Sequence, residues 1–159
     1  MAKSKHLSYQ QALVRLEQYC SYQERCHQET RFKLVQLGVR GDALEEIMTH
    51  LIQKGFLDET RFASAYARGK LRNNQWGWNK IRQELKRRQI SDHNLTLARA
   101  ELEENDYAKV LRMVLEKKRT ALMRQPLHVQ KAKLFKFAYG RGFESELISP
   151  MLKEMLPKN

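Results

Sequence analysis

The side chains of this sequence that could do chemistry are few in the catalytic and metal-binding classes and many in the class that grips charge. The only cysteines, Cys20 and Cys26, lie six positions apart, with no second pair to complete a four-ligand zinc site. A disulfide between them is disfavoured in a reducing compartment, so a structural role is expected. His6, His27, His50, His93 and His128 fall at no ligand spacing. The chain has no G-x-x-x-x-G-K-[ST] phosphate loop, G-x-G-x-x-G turn, H-E-x-x-H pair or G-x-S-x-G elbow. No carboxylate cluster of the kind a metal-dependent nuclease needs interrupts a basic segment. Glu84 has Arg87 and Arg88 within one helical turn, a spacing that predicts ion pairing. The expectation is a protein that is not an enzyme and takes neither metal nor cofactor.

Charge is the dominant signal. The 159 residues hold 30 Lys and Arg against 18 Asp and Glu, for a formal charge of +12. Residues 1–58 carry 8 basic and 7 acidic side chains (+1), residues 59–103 carry 10 and 5 (+5), and residues 104–159 carry 12 and 6 (+6). Between Arg61 and Ile90 stand Arg61, Arg68, Lys70, Arg72, Lys80, Arg82, Lys86, Arg87 and Arg88, with Glu84 as the lone acid. Between Lys117 and Arg141 stand Lys117, Lys118, Arg119, Arg124, Lys131, Lys133, Lys136 and Arg141, with no acid. Acids gather elsewhere, around Asp42 to Glu46 and Asp92 to Asp106, so oppositely charged faces are expected. A local excess this large is self-repelling, and a polyanion relieves it; a solvated surface is the plainer alternative. Trp76 and Trp78 flank Gly77 in a polar turn between the basic helices. They either stack on a base or partner, or plug the joint between the first and second units. These two tryptophans and the seventeen cations are the candidate contact residues.

The elements that must position them are helices. Apolar residues recur at three- and four-residue intervals, and no stretch alternates as a half-buried strand does. The expected buried stripes are Tyr9, Ala12, Leu13 and Leu16; then Phe32, Leu34, Val35 and Leu37, ending at Gly38; then Leu44, Ile47, Met48, Leu51 and Ile52. The second helix begins at Ser21 or near Cys26, and Asp42 is expected to cap the third. Asp58 caps a fourth helix bearing Phe62, Ala63, Tyr66, Ala67 and Leu71, with Phe62 and Tyr66 assigned to the core. A fifth spans about Trp78 to Arg88 with Ile81 and Leu85 inward, and Ser91 or Asp92 caps a sixth with Leu95, Ala98 and Leu102. A seventh starts at Asn105 or Asp106 and stops before Pro126; an eighth carries Leu127, Leu134, Phe135, Phe137 and Ala138. The ninth holds Leu147, Ile148, Met151, Leu152 and Met155, with Pro150 expected in its first turn or at a kink.

Nine helices prompt a search for repetition. Gly38-Val39, Gln89-Ile90 and Gly142-Phe143 recur at spacings of 51 and 53 residues, and Leu44, Leu95 and Ile148 keep register after them. The expected fold is all-α, with three tandem three-helix repeats at 1–58, 59–103 and 104–159 forming an elongated, curved array, since units of fifty residues must lean on one another. No apolar run approaches the roughly 20 residues of a membrane span, and Met1 to Ser8 is polar, so a cytoplasmic monomer with no membrane partner is expected.

The segment Gly55-Phe56-Leu57-Asp58-Glu59-Thr60-Arg61-Phe62-Ala63 with Tyr66, Arg68 and Lys70 resembles the central signature of the RecX family of bacterial recombination regulators. Gly77-Trp78-Asn79-Lys80-Ile81-Arg82-Gln83-Glu84-Leu85 through Ile90 is similar to the family's next block; Glu29 to Gly38 resembles an earlier one, and Arg141-Gly142-Phe143 with Ile148 the closing motif. Departures are Cys26 where Ser or Thr is common, Thr30 where Leu is usual and Gln89 where Gly is usual. The resemblance implies three-helix repeats that lie in the groove of the RecA filament on single-stranded DNA and modulate or inhibit its activities without catalysing a reaction. Duplex DNA is a second nucleic-acid partner in that expectation. The rival reading is a helix-turn-helix transcriptional regulator that presents Lys80, Arg82, Gln83, Lys86 and Arg87 to the major groove.

Overall fold

The structure is a computed structural model and describes residues 7–158. Met1 to His6 and Asn159, which the reading of the amino terminus and the outer unit bounds include, lie outside the described residues. The described residues form nine helices and no strand: α1 (Tyr9–Tyr22), α2 (His27–Gln36), α3 (Gly41–Gln53), α4 (Glu59–Asn74), α5 (Trp78–Arg87), α6 (Asp92–Glu101), α7 (Glu104–Thr120), α8 (Leu127–Gly140) and α9 (Ser145–Met155).

Local chemistry sets most boundaries. Ser8 and Gln11 make a reciprocal capping box at α1, with Gln11 N donating to Ser8 Oγ at 3.2 Å and Ser8 N donating to Gln11 Oε1 at 3.0 Å. At α2 the Cys26 amide donates to Glu29 Oε1 at 2.9 Å, which places its start at the later of the two expected sites. Asp58 and Ser91 cap α4 and α6 through their side chains. Asp42 does not cap α3: Arg40 precedes the helix, and Asp42 is its second residue, where its charge complements the helix dipole. Likewise α7 opens at Glu104, ahead of Asn105, because Glu104 and Asp106 both suit the first turn. Pro150 lies in the second turn of α9, on its exposed side, where water can hydrate the carbonyl that has lost its amide partner.

The repeat is written in backbone bonds. Gly38, Gln89 and Gly142 all adopt left-handed φ (84°, 61° and 100°). After each, an apolar residue folds back: Val39 N bonds Leu34 O at 2.9 Å, Ile90 N bonds Leu85 O at 3.2 Å and Phe143 N bonds Ala138 O at 3.1 Å. This is the Schellman motif, and Val39, Ile90 and Phe143 are all buried beneath it.

Two cores result. Ala12, Leu13, Leu16, Leu34, Ile47, Met48 and Leu51 close the first unit on itself. A second, continuous core runs from Phe62 to Leu156 through α4–α9, and it takes in Cys26 at the entry to α2. The accessible surface, 10522 Å², exceeds the roughly 8,300 Å² expected of a compact monomer of this mass, as a stack of small units should.

Several stripe residues face water instead of the core. In α2 only Thr30 and Leu34 are buried, while Phe32 is 63% exposed and Val35 also lies outside; Tyr9, Ile52 and Leu147 are exposed as well. A ten-residue helix resting on two small partners can bury only one narrow line of side chains, and an apolar triplet such as Phe32, Leu34 and Val35 spreads beyond it.

Candidate nucleic-acid interface

Tyr66 and Lys70 are one turn apart on α4, and Lys80, Glu84 and Arg88 form a row on α5, which packs against α4. Between the two rows a ladder alternates cation and ring. The Arg88 guanidinium lies 4.9 Å from the Tyr66 centroid, Lys70 Nζ 5.4 Å from Tyr66 and 4.9 Å from Trp76, and Lys80 Nζ 4.6 Å from Trp76. Each ring holds two cations that would otherwise repel one another, at about 0.5–1 kcal/mol per contact near water. Burial raises the Tyr66 phenol above its ordinary range, and Arg88 opposes that rise. Tyr66, expected in the core, is half-buried and serves as a rung.

A second cluster adjoins the first. Lys118 Nζ on α7 is 4.9 Å from the Phe137 centroid on α8, and the Arg141 guanidinium 5.7 Å from the same ring. Arg141 Nη2 donates to the Asn74 carbonyl at 2.6 Å and its Nε to the Gln75 carbonyl at 3.2 Å, next to Trp76. Gln75, Lys117, Lys118, Phe137 and Arg141 line a groove of about 290 Å³.

Backbone contact fixes the two clusters relative to each other. Gly77 N donates to Arg141 O at 2.8 Å and Asn79 N to Gly142 O at 2.9 Å. A Cβ on Gly77 would lie 2.3 Å from Phe143 N, and one on Gly142 would lie 2.5 Å from Lys80 Cβ, so only glycine fits either place. Behind this seam the Trp78 amide donates to the Tyr107 hydroxyl at 2.8 Å, and that hydroxyl donates to the Glu144 carboxylate. Arg99 lies 3.4 Å from Glu144 and 4.5 Å from the Tyr107 ring. Burial, then the bond to Glu144, drives the Tyr107 phenol far above its ordinary range. The tryptophan turn therefore does plug a joint, but the joint is between the second and third units, not the first and second.

The candidate cations fall into two groups. Arg61 pairs with Glu24 at 3.0 Å and Asp58 at 3.9 Å, Arg68 with Glu101 at 3.2 Å, Arg72 with Asp106 at 3.7 Å, and Lys86 with Asp92 at 3.9 Å. Glu84 pairs with Arg87 at 2.8 Å and Arg88 at 3.6 Å, as its spacing predicts. Among the described residues Arg119 and Arg141 have no carboxylate partner but donate to carbonyls, Arg119 to Met155 at 3.2 Å and Arg141 to Asn74 and Gln75. By contrast, among the described residues Lys70, Lys80, Arg82, Lys117, Lys118, Arg124, Lys131, Lys133 and Lys136 have no carboxylate within the 4.0 Å of an ion pair. The acids of α6 and the start of α7 thus neutralise one edge of α4 and leave the ladder side charged. Sequence reasoning did not find Phe137 as a cation platform, or Arg99, Tyr107 and Glu144; the first was masked by its apolar stripe, and the others meet only through the tertiary fold.

Both cysteines are free and buried, and burial pushes the Cys20 thiol up to about 11 and raises that of Cys26, which disfavours the thiolate. Among the described residues no three His, Cys, Asp or Glu side chains converge as a metal site requires, and no helix is long and apolar enough to cross a membrane.

Known proteins share the sequence pattern and the fold of this chain. Residues 58–98 match the model of the second three-helix domain of RecX, and residues 105–152 that of the third. The regulatory protein RecX of Prosthecochloris aestuarii is 31% identical over 91% of this chain and 93% of its own length. That of Bacillus cytotoxicus is 26% identical over 92% of this chain and 54% of its own length, so this chain spans about half of that relative. The crystal structure of RecX from Lactobacillus salivarius superposes with a TM-score of 0.84 at 20% identity, covering 92% of this chain and 96% of that one. A second RecX crystal structure gives 0.80 at 23% identity, with 92% and 73% covered. The matched domains, the near full-length relative and the shared fold place this chain in the RecX family of regulatory proteins.

Proposed function

We propose that this protein regulates homologous recombination by binding the RecA filament on single-stranded DNA and damping its activity, with no catalytic step of its own. The observation that carries the reading is the unpaired basic surface that crosses the seam between the second and third units. Lys70 and Lys80 lie around Trp76, Arg141 and Lys118 around Phe137, and none of the four has a carboxylate within ion-pair distance among the described residues. Such a surface suits the phosphates of a strand held in a protein groove, where affinity comes from counterion release and not from base identity. In this reading residues 59–103 and 104–159 carry the phosphate contacts, and residues 1–58, near neutral and with Tyr22 and Phe32 exposed, contact the protein component. Sequence-selective duplex reading through α5 has weaker support, because Lys86 and Arg87 are engaged by Asp92 and Glu84. The test is RecA-catalysed ATP hydrolysis on single-stranded DNA: hydrolysis falls when stoichiometric protein is added, and an unchanged rate overturns the proposal.

A further inference from the structure

The rings of the basic surface differ in what covers them. Tyr66, Trp76 and Phe137 each carry two cations, so none offers a clear face to a base. Tyr139 is different. It is 57% exposed, and among the described residues from 59 onward it is the one aromatic in the set of exposed large apolar side chains, beside Leu97, Met113, Met123 and Leu147. Its ring lies nearly parallel to that of Phe135, at 11° and 6.0 Å between centroids. Phe135 is half-buried against the second core, so the tyrosine that stacks on it is backed by a fixed ring while most of its own surface meets solvent. Lys131 continues this row of α8 one turn before Phe135, and Lys136 lies three residues before Tyr139; both are exposed and neither has a carboxylate partner among the described residues. Arg141, two residues beyond, reaches the carbonyls of Asn74 and Gln75, so this end of α8 abuts the turn that carries Trp76.

We infer that the outward face of α8 is a stacking platform for an unpaired nucleobase of single-stranded DNA, with Tyr139 under the base and Lys131 and Lys136 on the flanking phosphates. The chemistry favours this occupant over a protein. A pre-stacked ring loses little freedom on binding, every base offers a π-face, and the flanking charge is of one sign, because residues 117–141 contain no acid. A duplex keeps its bases stacked internally and has none to give. The inference rests on the single-strand reading of the basic surface and adds a second mode of contact to its phosphate contacts: a base stacked on α8.

The experiment compares fluorescence anisotropy of labelled dT12 with that of a 12-mer of the same backbone lacking bases, for the full chain and two variants. The chain should bind dT12 about tenfold more tightly than the abasic strand. Tyr139→Ala should erase that preference while leaving the salt dependence unchanged, and Tyr139→Phe should retain it; circular dichroism checks that both variants fold. Equal affinity for the two strands, or an unaltered preference in Tyr139→Ala, overturns the stacking inference but leaves the filament reading standing if ATP hydrolysis still falls. Binding to neither strand overturns the stacking inference and the direct DNA contact on which it rests.

Discussion

Lys70 and Lys80 are held over the same indole, so their two charges stand together, and in the proposed reading they meet adjacent phosphates. Replacing both with Ala should flatten the dependence of single-strand affinity on salt by about 1.4 log–log units, at about 0.7 per lost contact, and should cost about 2 kcal/mol of stability as three cation–ring contacts are lost. Titration at several salt concentrations reads this directly. Within α5 the charges should separate by partner: Arg82→Ala flattens the slope by about 0.7, whereas Arg87→Ala does less, because Glu84 at 2.8 Å already neutralises Arg87. The Cys20 thiol gives a pH signature. Its folded value of about 11 lies above the ordinary 9.0, so the proton is bound more tightly in the folded chain. The stability this confers is complete below about pH 9 and is lost as pH rises towards 11. The urea midpoint should decline across that window, and iodoacetamide should label the native protein at pH 8 far more slowly than the unfolded one.

At the scale of elements, one of the three Schellman turns lacks glycine at its left-handed position. Gln89 occupies the left-handed position that glycine fills at Gly38 and Gly142, and it is exposed. Gln89→Gly should therefore stabilise the chain by about 1 kcal/mol, seen as a higher urea midpoint. Gly142→Ala should do the reverse, by about 3 kcal/mol, since its new methyl would meet Lys80 Cβ at 2.5 Å in a backbone conformation disfavoured for alanine. The helices themselves were legible in the sequence because apolar spacing, Asp58, Ser91 and the glycine turns agree locally. Their inner faces were less so in α2 and α3, where Phe32 and Ile52 are apolar but the small first unit has no layer to cover them. The concentration of positive charge on α4, α5 and α8 was legible as well. Which of their cations remain free was not, because Glu101, Asp106 and Asp92 reach Arg68, Arg72 and Lys86 only once α6 and α7 fold against α4 and α5.

For the whole molecule, the buried residues form two cores, one within α1–α3 and one running through α4–α9. The first unit closes its own core and meets the rest through Cys26, the His27–Glu59 pair at 3.0 Å and the Arg61–Glu24 pair at 3.0 Å. Hydrogen exchange under increasing denaturant should release the amides of α1–α3 before those of α4–α9, because ion pairs at a surface joint contribute little. X-ray scattering should give a radius of gyration above the roughly 15 Å of a compact chain of this length. The glycine seam also has a metrical consequence. Because Gly77 and Gly142 lock backbone to backbone, the cation rows on either side stand at a fixed interval, like the jaws of a set gauge. A polyanion would engage both rows only when its phosphates recur at that interval, so stretching or compressing its helical pitch would register as a change in affinity.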